Sequence, residues 1–295
     1  MFKGSYVALV TPFKNGKVDA ARLKWLVDYQ IDQGTEGLVP CGSTGESATL
    51  SHDEHKQVNE VVIKAARGRV PVIAGAGSNS TDEALDLVKH AARAGADAAL
   101  SVVPYYNKPT PAGLYAHFQA IAKATKLPVI LYNIPGRSGI NMPVETVVRL
   151  AENCPTIVGI KEASGSMDYT SQLFSTLDAS RFTVFSGDDS LTLPLLSLGA
   201  QGVISVIGNI LPRAMVDMVR SWENGSPERA RELHTQLFPV MRALFIETNP
   251  IPVKAAMAYL KLCREEMRLP LVPMSADSRK KLMAALAACP LLKKK

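Results

Sequence analysis

Short apolar stretches alternate with longer amphipathic ones eight times over about the first 220 residues, and this limits the chain to very few folds. Strands are predicted at Tyr6–Val10, Gly37–Pro40, Val70–Ala74, Asp97–Val103, Pro128–Tyr132, Thr156–Lys161, Phe182–Ser186 and Gly202–Ser205. Helices are predicted between them. The first is Asp19–Gln33, closed by Gly34; the next opens at Ser51-His-Asp-Glu54, a capping box, and runs to Arg67. A second capping box, Ser80-Thr-Asp-Glu83, opens a helix ending near Gly95. Pro111–Thr125 follows, then a helix with Pro143 at its first position that reaches Asn153, then Met167–Leu177, Leu191–Leu198 and Pro212–Trp222. Eight β/α units of this length make an α/β chain of the (β/α)8 TIM barrel class. A doubly wound open sheet would carry GxGxxG after its first strand; the nearest match, Gly75-Ala-Gly77-Ser-Asn-Ser80, follows a middle strand and lacks the third glycine. After Asn224-Gly225-Ser-Pro227 the strands stop, and Glu228–Phe245, Pro252–Cys263 and Ser275–Ala287 read as amphipathic helices. The expected organisation is a catalytic barrel over 1–224 and a C-terminal helical extension over 225–295, packed on the barrel or on a neighbouring subunit.

Charge excludes several functions. The formal net charge is +6, and Lys293, Lys294 and Lys295 supply half of it as a terminal tail expected to be solvated. Elsewhere charges alternate in sign along the helices, with no basic stripe interleaved with aromatics, so nucleic-acid binding is not expected. Cys41, Cys154, Cys263 and Cys289 are scattered without a CxxC pair, as free thiols in a reducing cytoplasm would be. The N-terminal apolar run stops at Pro12, too short for a signal peptide, and no apolar window suffices to span a bilayer.

Thr156-Ile-Val-Gly-Ile-Lys161 is the strand that carries chemistry. A strand so apolar is buried on both faces, yet a lysine sits at its C-terminal end. Burying an unpartnered ammonium is costly, and a lysine so placed relieves the cost by giving up its proton. The neutral amine is a nucleophile that forms Schiff bases with carbonyl compounds. The bland alternatives are that Lys161 snorkels to water or pairs with Glu162.

In a barrel the active site lies at the carboxyl ends of the strands. Other strand ends bring candidates. Gly42-Ser43-Thr44-Gly45 is either a simple turn or a nest of N–H groups and hydroxyls that cradles a carboxylate. Tyr132 is either a packing residue or a general acid/base. Arg137, in Pro135-Gly-Arg-Ser-Gly139, is either a solvated loop residue or a bidentate carboxylate clamp. Together they would put a nucleophile, a proton shuttle, an anion nest and an anion clamp on one rim. His52 and His55 lie three apart in one helical turn without a third ligand cluster, so no metal site is expected.

With Tyr105-Tyr-Asn-Lys-Pro109, Tyr132-Asn-Ile-Pro135, Gly159-Ile-Lys-Glu-Ala163 and Gly42-Ser-Thr-Gly-Glu-Ser47 the whole chain resembles the class I aldolase barrels of the N-acetylneuraminate lyase superfamily. Within them it is most similar to the dihydrodipicolinate synthase family, on Tyr-Tyr-Asn-Lys-Pro, on Arg137 and on Glu247-Thr-Asn-Pro-Ile-Pro-Val-Lys254. The resemblance implies condensation of pyruvate with L-aspartate-4-semialdehyde, in lysine biosynthesis through diaminopimelate, by a cytoplasmic homotetramer that needs no metal or organic cofactor. It implies an imine on Lys161. Ser43, a threonine in many members, and Thr44 would hold the pyruvate carboxylate. Thr44, Tyr132 and Tyr106 would relay protons, Tyr106 reaching into a neighbouring subunit's site. Arg137 would orient the semialdehyde carboxylate, and Gly187 and Ile204 would line the pocket through backbone groups. Ser47, Ala48, His52, His55, Asn79, Glu83 and Tyr105 would form a feedback site for L-lysine. The rivals are another pyruvate-dependent aldolase acting on a sugar acid, which Arg137 disfavours, and a silent lysine sensor, which the joint presence of Lys161, Tyr132 and Thr44 disfavours.

Overall fold

The computed structural model describes residues 2–178 and 180–292; the basic tail Lys293, Lys294 and Lys295 lies outside the described residues. The eight strands are β1 (Gly4–Ala8), β2 (Gly37–Val39), β3 (Ile73–Gly75), β4 (Ala98–Val102), β5 (Val129–Asn133), β6 (Ile157–Glu162), β7 (Thr183–Ser186) and β8 (Gly202–Ser205). The long helices are α1 (Ala20–Asp32), α2 (His52–Ala66), α3 (Thr81–Ala94), α4 (Pro111–Ala124), α5 (Val144–Asn153), α6 (Met167–Thr176), α7 (Thr192–Leu198) and α8 (Pro212–Glu223), then α9 (Pro227–Ala243), α10 (Ile251–Tyr259) and α11 (Ala276–Ala288). The alternation is that of the (β/α)8 barrel, with added C-terminal helices; among the described residues no strand follows β8.

Local chemistry sets most boundaries. Ser51 and Glu54 form the expected capping box at α2. Asp19, Ser80, Thr110, Ser166 and Ser275 each accept a hydrogen bond from the first turn of their helices. Pro143, expected inside α5, is the extended residue just before it (φ −60°, ψ 143°). The strand expected from Val70 begins only at Ile73, because Pro71 has no N–H for a ladder. The strand expected to reach Val10 ends at Ala8; the Leu9 N–H still donates to the Val39 carbonyl at 3.0 Å, and Leu9 and Val10 stay buried. An Asn15-Gly16 turn, both residues at positive φ, closes a two-residue hairpin, Phe13–Lys14 on Lys17–Val18, that the periodicity did not mark.

The described residues group into two compact units. One is Val72–Ile204 with Phe2 and Lys3; the other is Gly4–Pro71 with the chain from Ser205 onward. In the first, β3 to β7 pair in parallel in chain order, and β8 pairs with β7. Its apolar core packs Leu114, Phe118 and Ile121 of α4 and Val147 and Leu150 of α5 against Val129, Leu131 and Ile160. In the second, β1 pairs in parallel with β2, with Tyr6 opposite Gly37. A Cβ at Gly37 would lie 1.9 Å from the Tyr6 ring, so only glycine fits. There α1 packs on α2, α8 on α9, and α11 on α9 and α10.

One core histidine makes stability pH-dependent. His117 of α4 is 6% exposed, with its Nδ1 2.9 Å from Thr81 Oγ1 and its ring edge-on to Phe118. Burial pulls it down to about 4 from the ordinary 6.5. The unfolded chain therefore binds the extra proton first. Stability from this group is complete above pH 6.5 and falls as the pH drops toward 4, by up to about 1.4 kcal/mol per pH unit. His117→Gln should flatten that part of the slope; urea unfolding of both proteins at pH 5 and pH 7.5 measures it.

Candidate active site

β5 and β6 place the central pair. Their register sets Tyr132 opposite Lys161 and Asn133 opposite Glu162. Residues directly opposite in a parallel pair share a face, and successive residues alternate faces. Ile160 enters the apolar core, so Lys161 turns the other way with Tyr132. Lys161 is 6% exposed and Tyr132 5%, with the Lys161 Nζ 4.2 Å from the Tyr132 ring centroid. Lys161 does not snorkel. Nor does it pair with Glu162, whose carboxylate accepts from Asn133 Nδ2 at 2.9 Å and from the Ser164 N–H at 2.5 Å. Burial pushes the Glu162 carboxyl up from the usual range, and those hydrogen bonds oppose the shift.

Gly187, just after β7, makes room for the lysine. A Cβ there would lie 2.7 Å from Ala163 Cβ, 3.0 Å from the Glu162 carbonyl oxygen and 3.1 Å from Lys161 Cε. Ile204 is fully buried on β8. Arg137 is exposed, in a helical turn (Pro135–Ser138) directly after β5. Tyr106 has φ +69° and is 89% exposed; its N–H donates to the Ser138 carbonyl at 3.4 Å, which joins its loop to the Arg137 turn. Asn79 Nδ2 donates to the Tyr105 carbonyl at 3.2 Å, and Glu83 accepts from Ser78 Oγ at 2.6 Å.

The Gly42–Ser47 loop belongs to the other unit. The N–H groups of Gly45 and Ser47 bond the Gly42 carbonyl, and that of Glu46 bonds the Ser43 carbonyl. Within Gly42–Gly45 the nest is thus narrower than expected, because the Gly45 N–H is already bonded inside the loop. Thr44 is 3% exposed, and its hydroxyl oxygen accepts from Asn249 Nδ2 at 2.9 Å. Ser43 is half-buried. Ser47 and Ala48 begin a short 3₁₀ turn (Ser47–Thr49); His52 is exposed on α2, and His55, one turn on, is buried. Among the described residues no group of three or more His, Cys, Asp or Glu side chains is arranged to hold a metal.

The periodicity did not mark what supports this loop. Glu46, left-handed at φ +55°, forms a fully buried ion pair with Lys254 of α10. Lys254 Nζ also donates to the Glu266 carbonyl at 2.8 Å and lies 4.3 Å from the Phe13 ring centroid. The Arg268 guanidinium, 4.6 Å from the same ring, makes two 2.6 Å hydrogen bonds to Glu54. That contact holds the Glu54 carboxyl down to about 2.

A buried lysine beside a tyrosine lies at the carboxyl ends of neighbouring barrel strands, the end where barrel enzymes carry their sites. Residues 1–289 match the model of the dihydrodipicolinate synthetase family. The 4-hydroxy-tetrahydrodipicolinate synthase of Syntrophus aciditrophicus is 55% identical over 282 residues, 96% of each chain. Dihydrodipicolinate synthase from Acinetobacter baumannii, solved as a chloride-inhibited complex with pyruvate, is 46% identical over 99% of this chain and 100% of that one, at a TM-score of 0.95. The enzyme from Cyanidioschyzon merolae, solved with lysine bound, is 44% identical over 99% of both chains, also at 0.95. The chain belongs to the dihydrodipicolinate synthetase family and is a lyase.

Three substitutions test the supports. Gly187→Ala should lower the reactivity of Lys161 by about tenfold or more and also cost stability, because the new methyl meets Ala163 Cβ and the Glu162 carbonyl as well as the lysine stem; labelling of Lys161 by an amine reagent at a temperature where the variant is folded, mapped by mass spectrometry, reads it. Lys254→Met should destabilise by about 3–5 kcal/mol, since it strands a buried carboxylate. Glu46→Gln added to it should recover much of that loss in chemical denaturation.

Proposed function

We propose that the protein condenses pyruvate with L-aspartate-4-semialdehyde, the reaction of a 4-hydroxy-tetrahydrodipicolinate synthase, on the path through diaminopimelate to lysine. The observation that carries this is the buried Lys161–Tyr132 pair in register on β5 and β6. The Lys161 amine attacks the pyruvate ketone and water leaves, giving an imine. The iminium withdraws electrons, so the pyruvate methyl loses a proton and an enamine forms. That carbon attacks the aldehyde carbon of the semialdehyde. The substrate's own amine then closes on the imine carbon and displaces Lys161.

Tyr132 is the proton shuttle, in relay with Thr44 and Tyr106. Asn249 already donates to the Thr44 oxygen, which leaves the Thr44 hydroxyl hydrogen free for a second partner. Ser43 and Thr44 take the pyruvate carboxylate. Arg137, solvent-facing on its turn, takes the semialdehyde carboxylate. Gly187 and Ile204 line the pocket. The extreme exposure of Tyr106 supports a role across a subunit boundary, within a homotetramer. The four cysteines are buried and free, which suits a cytoplasmic enzyme.

L-lysine acts as a feedback inhibitor in this reading, through Ser47, Ala48, His52, His55, Asn79, Glu83 and Tyr105. The lysine-bound relative supports it, and a carboxylate with imidazoles and amides suits an amino acid's two charges.

Borohydride reduction with pyruvate should leave a stable adduct that maps to Lys161; no adduct, or one on another lysine, sinks the proposal. Tyr132→Phe should reduce kcat by about 10²–10⁴-fold in a condensation assay with aspartate semialdehyde. Activity should fall across millimolar L-lysine; a flat response removes the feedback site alone.

A further inference from the structure

Behind the reacting pair, on the opposite face of the same two strands, lies a buried polar cluster that the mechanism does not use. Asn133 is fully buried and Glu162 is 3% exposed. They are the residues immediately after Tyr132 and Lys161, and they face each other in the register of β5 and β6. Asn133 Nδ2 donates to Glu162 Oε2 at 2.9 Å and to Asn141 Oδ1 at 2.7 Å, while its Oδ1 accepts from the Met142 N–H at 3.1 Å. The other Glu162 oxygen accepts from the Ser164 N–H. One carboxylate and one amide thus tie together the ends of both strands, the segment after the Arg137 turn and the loop that leaves β6.

The need for such a tie is visible at the other end of the ladder. Between Val129 and Ile130 the register of β5 on β6 shifts: Val129 faces Ile157, but Ile130 faces Gly159. A single-residue slip in a strand moves every side chain to the other face. Such a slip would take Lys161 off the Tyr132 ring and into the apolar core. Apolar side chains at 133 and 162 would fill the space without specifying the register, whereas the amide–carboxylate bond forms in one register only.

We propose that Asn133 and Glu162 are positioning residues for the lyase reaction. Hydrogen-bonded across the strand ends, they hold Lys161 against Tyr132 and anchor the chain behind Arg137. This rests on the Schiff-base reading above.

Glu162→Gln, Asn133→Asp and the double variant test it against the wild type. Glu162→Gln leaves a single acceptor oxygen where Asn133 Nδ2 and the Ser164 N–H each have one, so an amide N–H must face a donor, and Asn133→Asp sets two carboxylates against each other. The double variant restores one donor–acceptor pair with the roles exchanged, the amide now on β6 donating to a carboxylate on β5. Each single variant should form the borohydride-trapped pyruvate adduct on Lys161 at least about tenfold more slowly than the wild type, at a temperature where its circular dichroism is native. The double variant should regain most of that rate. A merely structural role would move the unfolding midpoint and leave the trapping rate of the folded protein alone. Trapping within about twofold of wild type in a folded single variant overturns the proposal. So does a double variant that does not fold or is no faster than the slower single. If a single variant does not fold, the folded double variant carries the comparison: trapping close to the wild-type rate supports exchange of roles, and a rate about tenfold lower overturns it. Failure of the wild type itself to trap pyruvate on Lys161 would be distinct: it removes the Schiff-base reading, and the positioning role with it.

Discussion

A lysine amine held 4.2 Å from a tyrosine ring, with both side chains almost fully buried, is the contact on which the rest of this site depends. It exists only because two parallel strands are paired in one register. Burial on both faces is natural for a parallel sheet and hostile to a lysine, and the pairing with Tyr132 gives the amine an electron-rich neighbour. Two further features protect that placement. Gly187 leaves the space that the lysine stem occupies. Asn133 and Glu162 lock the strand ends from behind.

The loop with Ser43 and Thr44 is held by different physics. It turns through a left-handed Glu46, a conformation that a non-glycine residue adopts only when its surroundings fix it. Here the fixing group is Lys254, in an ion pair from which water is excluded. Such a pair adds little net stability, because both charges lose their hydration, but removing one partner is strongly unfavourable. Its value lies in geometry: it ties the loop to α10, while Asn249, just before α10, hydrogen-bonds the Thr44 hydroxyl oxygen. Phe13, between Lys254 and Arg268, extends the tie to the small hairpin. The residues beyond the last strand are therefore working parts of the unit that holds the Gly42–Ser47 loop.

Much of this could be read from the amino-acid sequence. Eight β/α repeats, their caps and their apolar periods follow from short-range rules, and boundaries moved by three residues at Pro71 and by one at Pro143. Lys161 stood out because a charge in an apolar strand is anomalous, and Tyr132 because it ends the neighbouring strand. The Asn15-Gly16 hairpin was legible in principle, since Asn-Gly is a strong turn signal, but its strands are too short to show a period.

What the sequence by itself determined is local: the strand–helix alternation, the capping box that opens α2, and the presence of a lysine and a tyrosine at the ends of adjacent strands. Tertiary structure alone decided which groups support them. Asn249 and Thr44 meet across 205 positions, Glu46 meets Lys254 from the far end of the chain, and Gly187 is defined by a side chain on another strand. Helix and strand periods report only which face a residue takes within its own element. Contacts between distant elements depend on how those elements pack, so their partners became identifiable only once the chain was folded.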